Sequence, residues 1–499
     1  MSHVILATVL IVHALPVCAV FLIRPFIKQP IKIQTPKHNF WPYVPVNSPQ
    51  PEENGTEFFQ KPKHNFWPYV PVTSPVDSNA TFTYFGVPRH NFWPFIPIVP
   101  PGNRTKPIPP TPPPPTLPPP ESSYDYGEVL YKSILFYEAQ RSGWLPDDRR
   151  VWWRGHSALE DKGVFGEDLS GGWYDAGDYV KFGLPMASAT SMLLLGLVEF
   201  GDAYRAVNLL DDMHDCVRWP LDYFIKVADP YVDHSYWGRP EDMTMYRPAY
   251  KLSPEAPGSD VIGETAAAMA AGSIAFKDVD KPYSDLLLRH AKELFDFADR
   301  YRGLYSDTLP IVQEFYRSGG YKDELSWAAA WLYRATGDNR YLQKAEENHE
   351  SYECWAVSWE EKHCLAALLL FKLTGKDKYR YQIERTMRDW MPGGSVDYTP
   401  AGLAFRIPWG PLRYAANMAT VALVAANAGI EPVAYRTWAR SQIHYMLGDA
   451  GRSYVVGFGH NPPTRPHHAA SSCPPAPTPC TWAAYNTPDP NPLTLYGAL

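Results

Sequence analysis

The sequence predicts an all-α fold, a toroid of helical hairpins with an inner and an outer ring, and three observations predict it. From Tyr124 onward strand signals are hard to find, apolar residues recur at helical spacing, and several of the helical segments are apolar nearly all round. Helices of that last kind must be walled in on both faces, which a two-layer bundle would not require. In chain order the periodic segments are 127–143, 185–201, 210–229, 259–278, 284–302, 323–338, 359–375, 413–429 and 435–448. The shorter stretches 339–351 and 376–390 bring the expectation to about eleven helices. The Ala-rich run at 264–275 is the clearest inner-ring candidate, and TGDNRY and TGKDKY punctuate two of the hairpins.

The first 123 residues read differently. The apolar run at 4–23, ending before Arg24 with small residues at Cys18 and Ala19, is expected to be a secretory signal peptide. A signal anchor is the alternative, because the run is long and no Lys or Arg precedes it. In residues 24–106 the segment PKHNFWPYVPV at 36–46 recurs at 62–72 and, as PRHNFWPFIPI, at 88–98, each copy 26 residues after the last. A repeat this short has no room for a core, and its prolines block helix and central strand, so extended polyproline-like copies are expected. Either their aromatic tips touch a polysaccharide, or the region is a glycosylated linker or recognition tail. The Pro-rich stretch at 107–123 is a stiff spacer. Residues 124–499 form the globular domain.

A net charge of −7 with no long basic run argues against nucleic acid or anionic membrane as the partner. Seventeen Trp and thirty-two Tyr exceed what core packing needs, and aromatic faces beside carboxylates suit sugar rings. The sequons at Asn54, Asn79 and Asn103 agree with secretion. With Cys18 in the signal, five cysteines remain. Cys473 and Cys480 are placed to close a Pro-rich loop in an oxidising compartment, which leaves one of Cys216, Cys354 and Cys364 free. No cysteine pair has zinc-site spacing, which argues against a structural metal at cysteine.

The chemistry concentrates in DLSGGWYDAGDYVKFGLP, residues 168–185, which sets Asp175 and Asp178 three apart beside Trp173, Tyr174 and Lys181. Carboxylates crowded together resist joint ionisation, so a loop that keeps two of them suits a bound water, a metal or a developing positive charge. Hydrolysis of a glycoside by inversion needs one carboxylate to activate water and a carboxylic acid to protonate the leaving oxygen. This loop supplies the first. A solvated turn or a calcium loop would show the same D-x-x-D spacing.

GGWYDAGDYVKF resembles the amino-terminal signature of glycoside hydrolase family 9, cellulases built as six-hairpin α/α barrels. DHSYWGRPEDM, PGSDVIGETAAAMAAGS, YTPAGLAFRIPWGPLRYAAN and SYVVGFGHNPPTRPHH follow in the family's order, and the resemblance covers roughly residues 124–499. It implies a secreted, extracellular, monomeric endo-β-1,4-glucanase acting on cellulose or a related β-glucan, with no membrane in the mature form. Asp178 matches the base that activates water, and Asp175 the carboxylate that helps hold it. Trp173, beside them, is expected to bind substrate by stacking on a sugar ring, and His234, Trp237, Trp409, Tyr414 and His467 match cleft residues that contact glucosyl units. No cofactor is required, although SGGYKDEL at 318–325 resembles a calcium loop with Asp323 and Glu324 as oxygen ligands; helix amino-terminal charge would account for the same pair.

The chain also departs from that pattern. Ala469 stands where the second signature carries Arg, Tyr179 where relatives commonly carry His, and His156 where they commonly carry Asp. The segment with the general-acid Glu and the last barrel helix would follow NPLTLYGAL. The expectation is therefore an incomplete barrel of doubtful activity. Two alternatives are a truncated glucan-binding protein without catalysis and a Pro-rich extracellular interaction protein.

Overall fold

The computed structural model describes residues 124–224 and 236–499. The segments read as signal, repeats and linker, and His234, lie outside the described residues. Among those residues eleven helices of ten or more residues run in order: α1 (Tyr126–Ala139), α2 (Gly183–Ala206), α3 (Leu210–Tyr223), α4 (Ser259–Ala275), α5 (Lys281–Arg300), α6 (Lys322–Thr336), α7 (Asn339–Asn348), α8 (His363–Thr374), α9 (Asp377–Trp390), α10 (Pro411–Asn427) and α11 (Pro432–His444). Each coincides with a segment of helical period in the sequence. The remaining regular structure is slight: short helical turns and one ribbon, β1 (Asp397–Tyr398) antiparallel to β2 (Ala404–Phe405).

Local signals set the ends. Asp125 caps α1 by accepting from the Glu128 amide at 3.0 Å, and Asp280 caps α5 by accepting from that of Tyr283 at 3.1 Å. In TGDNRY, Gly337 ends α6 at φ 71° and Asp338 then caps α7, so one turn both stops and restarts the chain. Gly375 ends α8 the same way at φ 67°.

Packing sorts the helices by parity. The even helices contact one another in sequence, α2 on α4, α4 on α6, α6 on α8, α8 on α10, and form the inner ring. The odd helices pack outside them. Ala266, Ala267, Ala268, Ala270 and Ala271 of α4 are all fully buried, as a helix enclosed on every side requires. Outer helix α5 buries only a stripe, including Tyr283, Leu287, Ala291, Phe295 and Ala298. Among the described residues α2 alone is long and apolar enough to cross a bilayer, but the ring buries most of its surface.

Connections alternate in length. Inner-to-outer joins are short: 207–209, 276–280, 337–338, 375–376 and 428–431. Outer-to-inner joins are long: 140–182, 224–258, 301–321, 349–362 and 391–410. Since the inner helices run parallel, every long connection arrives at the same end of the toroid. That end carries the candidate site.

The tight inner ring gives a direct expectation. Ala268→Leu should cost about 1–3 kcal/mol by overpacking, whereas Arg289→Ala on the exposed face of α5 should change stability by less than about 0.5 kcal/mol; urea unfolding of the two variants beside the parent measures both.

Candidate active site

Asp175 and Asp178 lie on the 140–182 connection, just before α2, and other long connections reach this turn. Asp175 is 7% exposed and Asp178 half-buried. From 301–321, the Tyr316 hydroxyl donates to Asp175 Oδ2 at 2.5 Å. From 349–362, Trp359 packs edge-on against the Tyr316 ring with centroids 5.2 Å apart. From the 224–258 connection, Gly238 accepts from the Tyr179 hydroxyl at 2.5 Å. Arg413, in the first turn of α10, is close enough to act electrostatically on Asp175.

The turn is also gripped by its own backbone. Asp175 N–H donates to Val180 O at 2.8 Å, and Tyr174 N–H to Gln140 O at 2.8 Å. Gln140 Nε2 donates to Ala176 O at 2.6 Å, between the two aspartates, while its Oε1 sits 2.8 Å from His468 Nε2. His468 Nδ1 accepts the Ser471 amide at 3.0 Å, so Nε2 carries the proton and donates to Gln140. Burial, with Arg154 and His467 nearby, pushes the His468 pKa down to about 3, which keeps the ring neutral. Gly177 is required by close approach: a Cβ there would stand 2.2 Å from His467 O, and its own carbonyl accepts from Ala469 N–H at 2.8 Å. On the far side of the turn Lys181 Nζ and Arg247 Nε each sit 2.7 Å from a different oxygen of the buried Asp161 carboxylate.

Electrostatically the two aspartates differ. Burial first, and the Asp178 carboxylate second, hold the Asp175 carboxyl well above the usual carboxylate range, against the pull of Tyr316 and Arg413. Asp175 Oδ1 has no hydrogen-bond partner among the described residues.

Aromatic rings extend the site to one side. Trp237 donates through Nε1 to Ser472 Oγ at 3.0 Å and lies near His467 (centroids 5.0 Å), Tyr485 (4.8 Å) and, stacked, Trp482 (6.0 Å). The Cys473–Cys480 disulfide closes the Pro-rich loop before Trp482, and Arg239 ties that loop down by donating to Pro474 O at 2.7 Å. Elsewhere Trp409 is 41% exposed before α10. Tyr414 is buried, its hydroxyl accepting from Arg413 Nη2 at 2.6 Å and its ring 5.2 Å from Trp355.

Trp173 corrects one expectation. It is 3% exposed and packs on Tyr137 at 4.7 Å, so it belongs to the core and cannot stack on a sugar. Its neighbour Tyr174 is buried as well. A second correction concerns the thiols: Cys216, Cys354 and Cys364 are all free and buried, where only one was expected to remain so. Of the departures from the family pattern, Tyr179 is used for the Gly238 contact, and exposed His156 accepts the Leu145 amide through Nδ1 at 2.9 Å. Sequence reading missed Gln140, Tyr316, Arg413 and His468. His468 had a signal, its place in the HNPPTRPHH run; Tyr316 and Gln140 had none.

Asp323 and Glu324 open α6. Asp323 Oδ2 accepts the Lys362 amide at 2.7 Å, and the Glu324 carboxyl is fully buried, raised well above the usual carboxylate range by that burial first and by Asp323 second. Glu360 faces Gly319 close by, and Asp323 helps raise its carboxyl.

Residues 126–499 match the model of glycosyl hydrolase family 9. Endoglucanase 4 of Bacillus sp. (strain KSM-522) is 46% identical over 76% of this chain and 63% of its own length. Endoglucanase 5 of Arabidopsis thaliana is 43% identical over 75% and 68%. The solved endoglucanase of the termite Nasutitermes takasagoensis superposes with a TM-score of 0.74 at 50% identity, covering 75% of this chain and 90% of that one. CelQ of Clostridium thermocellum, solved with cellotriose, superposes at 0.66 with 38% identity, covering 75% and 64%. The chain thus spans less than two thirds of the length of the first curated relatives it matches.

The raised Asp175 carboxyl makes a signed prediction. A carboxyl whose folded pKa lies above its unfolded value contributes stability that is present below the unfolded value and lost as pH rises through the folded one. Asp175→Asn should therefore melt above the parent at neutral and alkaline pH, and the gap should shrink as pH falls toward about 4 and be lost below it, read by calorimetry across pH.

Proposed function

The chain belongs to glycosyl hydrolase family 9, and on that premise we propose that it is a secreted endo-β-1,4-glucanase that cleaves internal bonds of cellulose or a related β-glucan by single displacement with inversion. The observation that carries this reading is the unequal aspartate pair at the end of the toroid where the long connections gather. Asp178, the more exposed of the two, is the base that takes a proton from the attacking water. Asp175 orients that water through Oδ1, the oxygen Tyr316 does not use. The two aspartates thus act on the same water, one taking its proton and the other orienting it.

Trp237, Trp482, Tyr485 and Trp409 offer ring faces for glucosyl units, with His467 and His234 as hydrogen-bonding partners. CelQ's complex with cellotriose supports a β-glucan ligand. The Cys473–Cys480 disulfide and the three sequons support an oxidising, extracellular destination, and the protein acts as a monomer. No residue is assigned the general acid: residues 432–499 contain no Glu.

A calcium ion fits beside α6. Asp323 and Glu324, both buried at the start of α6, are the oxygen ligands we infer for it. The ion would neutralise that buried charge and is not part of the reaction.

Two measurements test these readings. Asp178→Ala should lower release of reducing sugar from soluble cellulose by about 10²- to 10⁴-fold while leaving cellotetraose affinity nearly unchanged by calorimetry; near-parental turnover would end the assignment. Removing calcium with EGTA should lower Tm in the parent and have little effect on Glu324→Gln, and equal melting of the parent with and without the chelator would remove the ion from the account.

A further inference from the structure

The glucanase chemistry has no use for a second cluster, in which Cys354, Glu361 and His363 place one donor atom each within 4.8 Å of one another. Cys354 and His363 are 2% and 0% exposed, and Glu361 is half-buried. Among the described residues neither ring nitrogen of His363 has a hydrogen-bond partner, and its Nδ1 stands 3.4 Å from Glu361 Oε1. A fully buried imidazole without a hydrogen bond is uncommon, and an ion is one of the few things that account for it.

The donor chemistry narrows the ion. Thiolate, imidazole and carboxylate together match zinc, whereas calcium takes oxygen alone. We propose that Cys354, Glu361 and His363 bind a structural zinc ion that pins the 349–362 connection to the first turn of α8. The Cys364 thiol, hydrogen-bonded to Cys354, lies beside this group of three donors and outside it. On binding, Cys354 gives up its thiol proton to solvent and ligates as thiolate.

The surroundings are those of a braced site. Glu361 already accepts the Trp355 and Ala356 amides at 2.9 and 3.3 Å, which fixes the carboxylate and the turn it must reach. Tyr352 lies against the His363 ring with centroids 4.2 Å apart and limits its rotation. Through this connection the ion would hold Trp355 on Tyr414 and Trp359 on Tyr316, whose hydroxyl holds Asp175. Cysteine spacing argued against such a site because two ligands are not cysteines and Cys354 joins from seven residues before Glu361.

The test uses the whole chain, purified without a metal-affinity tag, stripped with the zinc-selective chelator TPEN in calcium-saturated buffer, and titrated with zinc. We expect about one zinc per chain by mass spectrometry of the metal, a rise in Tm of several degrees, and loss of both in Cys354→Ser and His363→Ala. Cobalt in place of zinc should give the parent a thiolate-to-metal charge-transfer band, a readout that does not depend on either variant folding. Absence of zinc binding at micromolar metal would overturn the proposal. So would full stoichiometry in both variants, absence of the cobalt band, or a Cys354–Cys364 disulfide found by peptide mapping.

Discussion

The turn from Asp175 to Lys181 is held between two buried polar anchors, and the geometry of the site depends on that grip. On one side Gln140 bridges the Ala176 carbonyl and neutral His468; on the other, Asp161 takes both Lys181 and Arg247. Neither anchor touches the two aspartate carboxylates in the contacts described. Each instead satisfies buried groups that would be costly if left alone, so loss of one partner strands the other. Arg247 also donates to Tyr179 O at 3.2 Å, so the Asp161 anchor holds the backbone directly after Asp178.

The toroid explains why such anchoring is needed. A parallel inner ring sends every long connection to one end, where chain segments far apart in sequence must share a small volume. There the backbone lacks the ladder of a helix and is held by side chains: Tyr179 to Gly238, Tyr316 to Asp175, Trp237 to Ser472. The short joins at the other end need only a cap, as Gly337 and Asp338 illustrate. Stability is thus supplied mainly by the rings, and the unfavourable burial of Asp175 is concentrated at the end where the long connections gather.

The 349–362 connection shows how far such a loop can be from self-supporting. Its ring contacts reach Tyr316 and Tyr414, and beside it the buried His363 ring has no hydrogen-bond partner among the described residues. A zinc ion there would brace the connection, in the same way that the Cys473–Cys480 bond restrains the loop before Trp482.

Much of the protein was legible in the chain alone. Helical period located the eleven helices of the described residues, Gly-Asp and Gly-Lys-Asp marked two hairpin turns, a seven-residue interval marked the disulfide, and two carboxylates in a Gly-rich turn marked the loop proposed as reactive. These are local facts, because capping, period and loop closure depend on neighbours within a few residues. Trp173 was misread for the same reason: nearness to the aspartates in sequence suggested a shared surface, but the side chain points to Tyr137 in the core. Tyr316, Gln140 and the Cys354 cluster had no such local mark. Tertiary structure alone decided which side chains meet across more than a hundred residues and how deeply Asp175 is buried, because desolvation and through-space charge are set by the packed volume and not by the order of residues.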